Sequence, residues 1–107
     1  MNSTLSSALA YLQENFTDPG LYQLSVALHF NLSRAYLSQF FREQTGENFS
    51  TYLERLRIDH AKVLMRTEDL PIDQVAWRCG YNSASALRRA FKRIEGVAPV
   101  AYRESVR

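Results

Sequence analysis

An internal repeat of about fifty residues constrains this chain more than any other feature. Val26, Ala27 and Asn31 return as Val75, Ala76 and Gly80 at an offset of 49 residues. Ser33, Leu37, Phe41, Arg42, Gly46 and Tyr52 return as Ser83, Leu87, Phe91, Lys92, Gly96 and Tyr102 at an offset of 50. The change of offset places one inserted residue around Tyr81-Asn82. The phrase Phe41-Arg42-x3-Gly46 recurs as Phe91-Lys92-x3-Gly96. A length of 107 residues holds one compact domain or two very small ones.

The spacing of apolar residues is helical almost throughout. Leu5, Leu9, Leu12 and Phe16 form a stripe that predicts an amphipathic helix over about 4–16, ended by the turn residues Asp18-Pro19-Gly20. A short helix over about 22–30 is expected to bury Leu24, Ala27 and Leu28. Ser33 is placed as the N-cap of a helix that Gly46 stops. Asn48 caps a long helix over about 49–66. Phe49, Tyr52, Leu53, Leu56, Val63 and Leu64 lie mostly on one face of it, and Ile58, Ala61 and Met65 on a second, so it packs against two partners. Pro71 suits the first turn of a helix over about 71–78. Ser83 or Asn82 caps the next, which Gly96 ends, and Pro99 opens the last, through about Glu104. No segment alternates with period two for long enough to read as a strand. The expected class is all-α.

Each repeat unit has the physics of a helix-turn-helix. Ala27 and Ala76 supply the small side chain where two helices cross closely. The tight turn needs a positive φ, which Gly80 adopts without strain and Asn31 tolerates best among other residues. In the second helix of each unit the buried face is Leu37, Phe40 and Phe41, or Leu87, Ala90, Phe91 and Ile94. The exposed face is then Arg34, Ala35, Ser38, Gln39 and Arg42 in the first unit. In the second it is Ala84, Ser85, Arg88, Arg89 and Lys92. Both faces mix cations with small or amide-bearing side chains, the chemistry needed to lie in a major groove.

These residues carry a resemblance. Ala27-x5-Ser33-x3-Leu37-x2-Phe40, Gly46-x5-Tyr52, Arg57-x3-Ala61-x2-Leu64, Ile72-x3-Ala76-x3-Gly80-Tyr81 and Phe91-Lys92-x3-Gly96-x2-Pro99-x2-Tyr102-Arg103 are similar to the DNA-binding domain of the AraC/XylS family of bacterial transcription regulators, over roughly residues 5–105. The chain departs from that pattern at Asn31, where glycine is usual, and at Tyr81 and Leu87, where phenylalanine is common. At Ala98 a capping Thr or Ser is usual, and its loss costs about 1 kcal/mol. The resemblance implies seven helices, with a first helix-turn-helix subdomain over 1–48, a linker helix over 49–66 and a second subdomain over 67–107. It implies double-stranded DNA and RNA polymerase as partners, an effector or dimerisation domain N-terminal to this chain, and no cofactor. The first helix starts almost at Met1, which favours an excised C-terminal reading head over a stand-alone regulator.

A linker helix of 18 residues spans about 27 Å, against about 34 Å between successive major grooves on one face of B-DNA. One monomer is therefore expected to read two adjacent major grooves. In the first, Ala35, Ser38 and Gln39 face bases, with Gln39 suited to adenine and Ala35 to a thymine methyl. Arg34 and Arg42 reach guanine or phosphate. In the second, Arg89 is the best base reader, and Arg88 and Lys92 are phosphate ligands. The first turn, Ser83-Ala84-Ser85-Ala86, offers only short side chains, so this unit grips phosphates more than it reads bases. Ser33 and Ser83 stand at helix N-termini, where backbone N–H groups also favour phosphate.

The formal charge is +2, and its distribution says more than its total: residues 1–53 carry −2 and residues 54–107 carry +4. The dense run Arg88, Arg89, Lys92, Arg93 is a phosphate-binding footprint in outline. No apolar run approaches a membrane span, no signal peptide opens the chain, and a single cysteine, Cys79, suits the reducing cytoplasm. His29 and His60 have no neighbouring ligands in sequence, so no metal site is expected. The serines form no triad with histidine and acid, and the chain is not read as an enzyme. A helical protein-interaction module is the competing class, but it would not need matched basic outer faces in two units. Arg57 is expected in a structural ion pair with Asp73 or Glu54, and His60 at an interface. Cys79 is expected as a packed thiol, its pKa open to lowering by Arg78, and Trp77 as a core or hinge anchor.

Overall fold

The computed structural model describes residues 3–107, with side chains from Ser6 onward. Leu5 and the Met1-Asn2 start of the chain therefore lie outside the described side chains. Seven helices follow in order: α1 (Ser3–Asn15), α2 (Gln23–His29), α3 (Arg34–Thr45), α4 (Phe49–Thr67), α5 (Ile72–Arg78), α6 (Ala84–Glu95) and α7 (Pro99–Ser105). Among the described residues there is no strand.

The repeat is visible bond by bond. Ser33 and Ser83 cap α3 and α6, their hydroxyls accepting from the amides of Tyr36 and Ala86 at 3.0 and 3.1 Å. Gly46 and Gly96 end the same helices with φ of 79° and 81°. In the turns, the Leu32 amide donates to the Ala27 carbonyl at 2.8 Å and the Tyr81 amide to the Ala76 carbonyl at 2.9 Å. Leu32 thus matches Tyr81 and Ser33 matches Ser83, so the inserted residue is Asn82 and the cap is Ser83. Asn31 has φ 59° and Gly80 φ 94°, as both turns require. Pro71 stands one residue outside α5 as its N-cap, and Ala98 caps α7 without a side-chain bond.

Two hydrophobic cores form, and α4 is built into both. Leu12, Leu21, Val26, Ala27, Leu37 and Phe41 surround Phe49 and Leu53 at its N-terminal end. Val75, Ala76, Cys79, Leu87, Ala90 and Phe91 surround Ile58, Ala61, Leu64 and Met65 at its C-terminal end. A helix of 19 residues is about 28 Å long, and the described residues extend 42 × 23 × 21 Å.

Three apolar expectations fail. Leu24 and Leu28 are 40% and 69% exposed rather than buried, because α2 is only seven residues long and its contact face is filled by Val26 and Ala27. Trp77 is 53% exposed and anchors no core; it occupies in α5 the position Leu28 holds in α2. Val63 also faces outward, since Leu64 and Met65 take the buried sides of α4.

Ala27 and Ala76 are fully buried at the crossings. Ala76→Leu is expected to overpack the second unit and cost about 1–3 kcal/mol in a thermal or urea melt; unchanged stability would mean that the crossing has room to spare. Asn31, exposed and left-handed, is expected to tolerate Asn31→Gly with a change within about 1 kcal/mol, neutral or stabilising. A larger loss in the same melt would reveal a required hydrogen bond from the Asn31 side chain.

Candidate nucleic-acid interface

The exposed face of α3 holds together the six first-unit residues read from the sequence. Ser33 caps the helix, and Arg34, Ala35, Gln39 and Arg42 are exposed, with Ser38 half-buried. Ala35, Ser38, Gln39 and Arg42 line one shallow depression, together with Glu43. The face stays outward because Leu37, Phe40 and Phe41 fill the core side of the helix.

Glu43 was not singled out in the sequence, yet its carboxylate accepts a hydrogen bond from the Gln39 side-chain amide at 3.0 Å. The i, i+4 spacing of Gln39 and Glu43 was the available signal. Tyr36 was also missed: it is 54% exposed and stacks on Phe40 at 6.0 Å between ring centroids. Gln23, at the start of α2, donates to the Arg34 carbonyl at 3.3 Å and so ties the two helices of the first unit beside this face.

On α6, Ser83 is the cap, Ala84 is half-buried, and Ser85, Arg88, Arg89 and Lys92 are exposed. Arg93 does not belong with them. It donates to the Glu54 carboxylate of α4 and is spent on holding α6 to the long helix. The basic run therefore has one member fewer than its sequence suggests. Lys62 and Glu95 make a second α4–α6 ion pair at 3.1 Å.

The remaining cations sort cleanly. Arg55 pairs with Glu47, Arg78 with Glu68 and Arg107 with Asp69. Arg66 donates to the Tyr102 hydroxyl at 2.8 Å. Arg103 lies partly buried in α7, with Nε and one terminal nitrogen out of solvent. Arg57 makes no ion pair with Asp73 or Glu54. It is buried, and its guanidinium donates to the backbone carbonyls of Phe16, Asp18 and Leu21 at 2.8, 3.0 and 3.1 Å. Burial pulls its pKa below the usual arginine value, opposed by the nearby Tyr81, Asp18 and Glu54. That leaves Arg34, Arg42, Arg88, Arg89 and Lys92: among the described residues these five carry side-chain cations that are exposed and bound to no other group, and all lie on the outer faces of α3 and α6.

Cys79 is a packed thiol, with its pKa pushed up to about 12 by burial. Arg78 does not lower it, being turned to Glu68. His60 is half-buried, edge-on to Phe16 at 5.5 Å, between the end of α1 and α4.

Two helix-turn-helix units on one shared helix, each offering unpaired cations on its second helix, define a tandem helix-turn-helix domain of the nucleic-acid-binding kind. Comparison with known proteins makes this specific. Residues 26–105 match the family described as "Helix-turn-helix domain", and the chain belongs to the AraC-type DNA-binding domains of that family. It is 32% identical over 103 residues to the arabinose operon regulatory protein of Escherichia coli, covering 96% of this chain and 35% of that protein. It is 32% identical over 99 residues to the raffinose operon transcriptional regulatory protein RafR of Pediococcus pentosaceus, covering 92% of this chain and 35% of that one. The chain thus spans about a third of the length of these relatives. Among solved structures, the C-terminal domain of AraT, a response regulator from Geobacillus stearothermophilus, superposes with a TM-score of 0.90 at 34% identity, covering 94% of this chain and 83% of that one. The DNA-binding domain of the global transcriptional factor AdpA, solved in complex with a target DNA, gives a TM-score of 0.87 at 33% identity, covering 94% and 90%. The relatives are regulatory proteins by name, and the AdpA domain is a DNA-binding one. Among the described residues no helix is long and apolar enough to cross a membrane.

Proposed function

We propose that this domain binds double-stranded DNA sequence-specifically, with α3 in one major groove and α6 in the next, as the reading head of a bacterial transcription regulator. One observation carries the reading: the exposed cations left without a protein partner are confined to the outer faces of α3 and α6, while the others are paired with protein groups or, as Arg103 is in α7, partly buried without a partner. A protein that folds for its own sake has no reason to sort its charges this way. The long dimension of 42 Å suits two grooves about 34–36 Å apart, and the AdpA domain supports the reading through its target DNA. The subdomains 1–48 and 67–107, on the linker 49–66, are the proposed reading units. An N-terminal effector or dimerisation domain in a longer protein, contact with RNA polymerase, and residence on the cytoplasmic nucleoid follow from the same proposal.

The roles within the interface separate by experiment. Gln39 lies about one turn into α3, where a side chain reaches a base edge. Its amide nitrogen is oriented by Glu43, leaving the carbonyl oxygen and a second N–H for a base. Gln39→Ala is expected to lose about 1–3 kcal/mol on a preferred site and to relax preference at one base pair, with affinity for random DNA nearly unchanged. Lys92, late in α6, faces the groove wall. Lys92→Ala is expected to weaken preferred and random DNA alike and to flatten the slope of log K against log salt by about one unit. Anisotropy titrations of both variants on both DNAs across a salt series decide the matter. A flattened slope from Gln39→Ala, or altered base preference from Lys92→Ala, would reverse the assignment.

A further inference from the structure

Arg57 sits in the middle of α4, where the two cores meet. Its three hydrogen bonds all go to the α1–α2 connection, which belongs to the first core through Leu21. Its guanidinium carbon lies 5.7 Å from the centre of the Tyr81 ring, in the second unit. Gly80, at the turn of that unit, approaches so closely that a Cβ there would stand 2.5 Å from the Phe16 carbonyl oxygen and 2.8 Å from Arg57 Nε. One buried side chain thus holds the α1–α2 connection of the first unit against the α5–α6 turn of the second.

We infer that Arg57 is the positioning residue that fixes the angle between the two reading units and so sets the base-pair spacing at which both engage DNA. This rests on the two-groove reading above. The physical reason lies in the geometry of the duplex: each added base pair rotates one half-site by about 35° relative to the other. A shared helix alone is a single strut that can bend and twist. The guanidinium is a planar fork whose donors fix several acceptors at once, and it stays charged in proteins, so the strap does not slacken with pH. Removing it would leave both recognition faces intact, because its hydrogen bonds and its ring contact go to Phe16, Asp18, Leu21 and Tyr81 and to no residue of the outer face of α3 or α6, while freeing one unit to swing relative to the other.

The test uses a duplex selected by the domain from a random pool. Companion duplexes have one or two base pairs inserted between the halves, and a further duplex has its second half randomised. The unaltered domain should lose affinity steeply, about tenfold or more, on the respaced duplexes. Arg57→Gln keeps a donor but cannot reach all three carbonyls. It should lose about tenfold on the selected duplex, stay within about twofold of the parent on the half-randomised one, and show a flattened spacing profile. A folded Arg57→Gln domain with the parent's spacing profile would overturn the inference. Should the variant not fold, residual dipolar couplings on the unaltered free domain decide. One alignment tensor must describe α1–α3 and α5–α7 together, and two different tensors overturn it. If the unaltered domain is indifferent to spacing, the two-groove reading has failed, and the couplings still judge the strap separately.

Discussion

Five base pairs inserted between the halves of a bound site should remove the contribution of one reading unit. The insertion is half a helical turn, so it carries one half-site to the opposite face of the duplex. Two units held on one helix, with α4 embedded in both cores, cannot follow it there. The second binding event is then no longer intramolecular, and the affinity should fall by on the order of 100-fold. A ten-base-pair insertion restores the facing but adds about 34 Å of separation, too far for a domain whose longest dimension is 42 Å, so it should not rescue binding. Mobility-shift titrations with the three duplexes measure this directly. An affinity that stays within about twofold after the five-base-pair insertion would show that only one unit meets the DNA, since linked contacts would cost far more.

Gly80→Ala should be the most damaging of the glycine-to-alanine substitutions in this chain. The residue has φ 94°, and the new Cβ would press on the Phe16 carbonyl oxygen, on Arg57 Nε and, at 3.2 Å, on the Thr17 carbonyl carbon. Two of these atoms are backbone and cannot swing aside. Left-handed strain of about 1 kcal/mol, overpacking of about 1–3 kcal/mol and a weakened Arg57 bond of about 1 kcal/mol or more together give about 3–5 kcal/mol. That is a large part of the stability of a domain this size. Gly46 provides the control. It has φ 79°, but nothing lies within 4 Å of its added Cβ, so Gly46→Ala should cost only the strain, about 1 kcal/mol. Urea unfolding of the two variants side by side is the measurement. If Gly80→Ala proves no more costly than Gly46→Ala, the turn and the α1–α2 connection are not in contact.

Much of this architecture is legible in the residues because it depends on short-range rules. The caps Ser33, Asn48 and Ser83, the stops Gly46 and Gly96, and the buried triplets Leu37, Phe40, Phe41 and Leu87, Ala90, Phe91 all follow from local spacing. The outer faces of α3 and α6 follow by subtraction from those triplets. What could not be read was decided by contacts between distant parts of the chain. Arg57 looks like half of an ion pair because carboxylates flank it in sequence; its true acceptors are carbonyls 36 to 41 residues away, and backbone carbonyls leave no trace in residue identity. Arg93 reads as one of four equivalent cations until α4 brings Glu54 beneath it. Leu24, Leu28 and Trp77 have helical spacing, but helices of seven residues offer one narrow contact face, and the small residues at the crossings take it. Asn31 and Gly80 obey the same dihedral rule. The sequence permits asparagine in one and glycine in the other without saying why, and the reason is that the first turn faces open surface while the second is pressed against another segment.

The strap at Arg57 also bears on how such domains can be recombined. Apart from the caps Ser33 and Ser83 and the half-buried Ser38 and Ala84, the outer faces of α3 and α6 support nothing inside the protein, so their exposed side chains can be exchanged for those of another reading head without disturbing the scaffold. Whole units are less portable. A chimera joined within α4 ahead of Arg57 would take the α1–α2 connection from one parent and the α5–α6 turn from the other, and would ask a foreign backbone to present three carbonyls to Arg57 and make room for Gly80. In terms of heritable modules, residues 16–21 travel in sequence with the first unit but must be matched to the second. New specificities in this architecture are therefore more readily reached by repainting the two recognition helices than by shuffling halves.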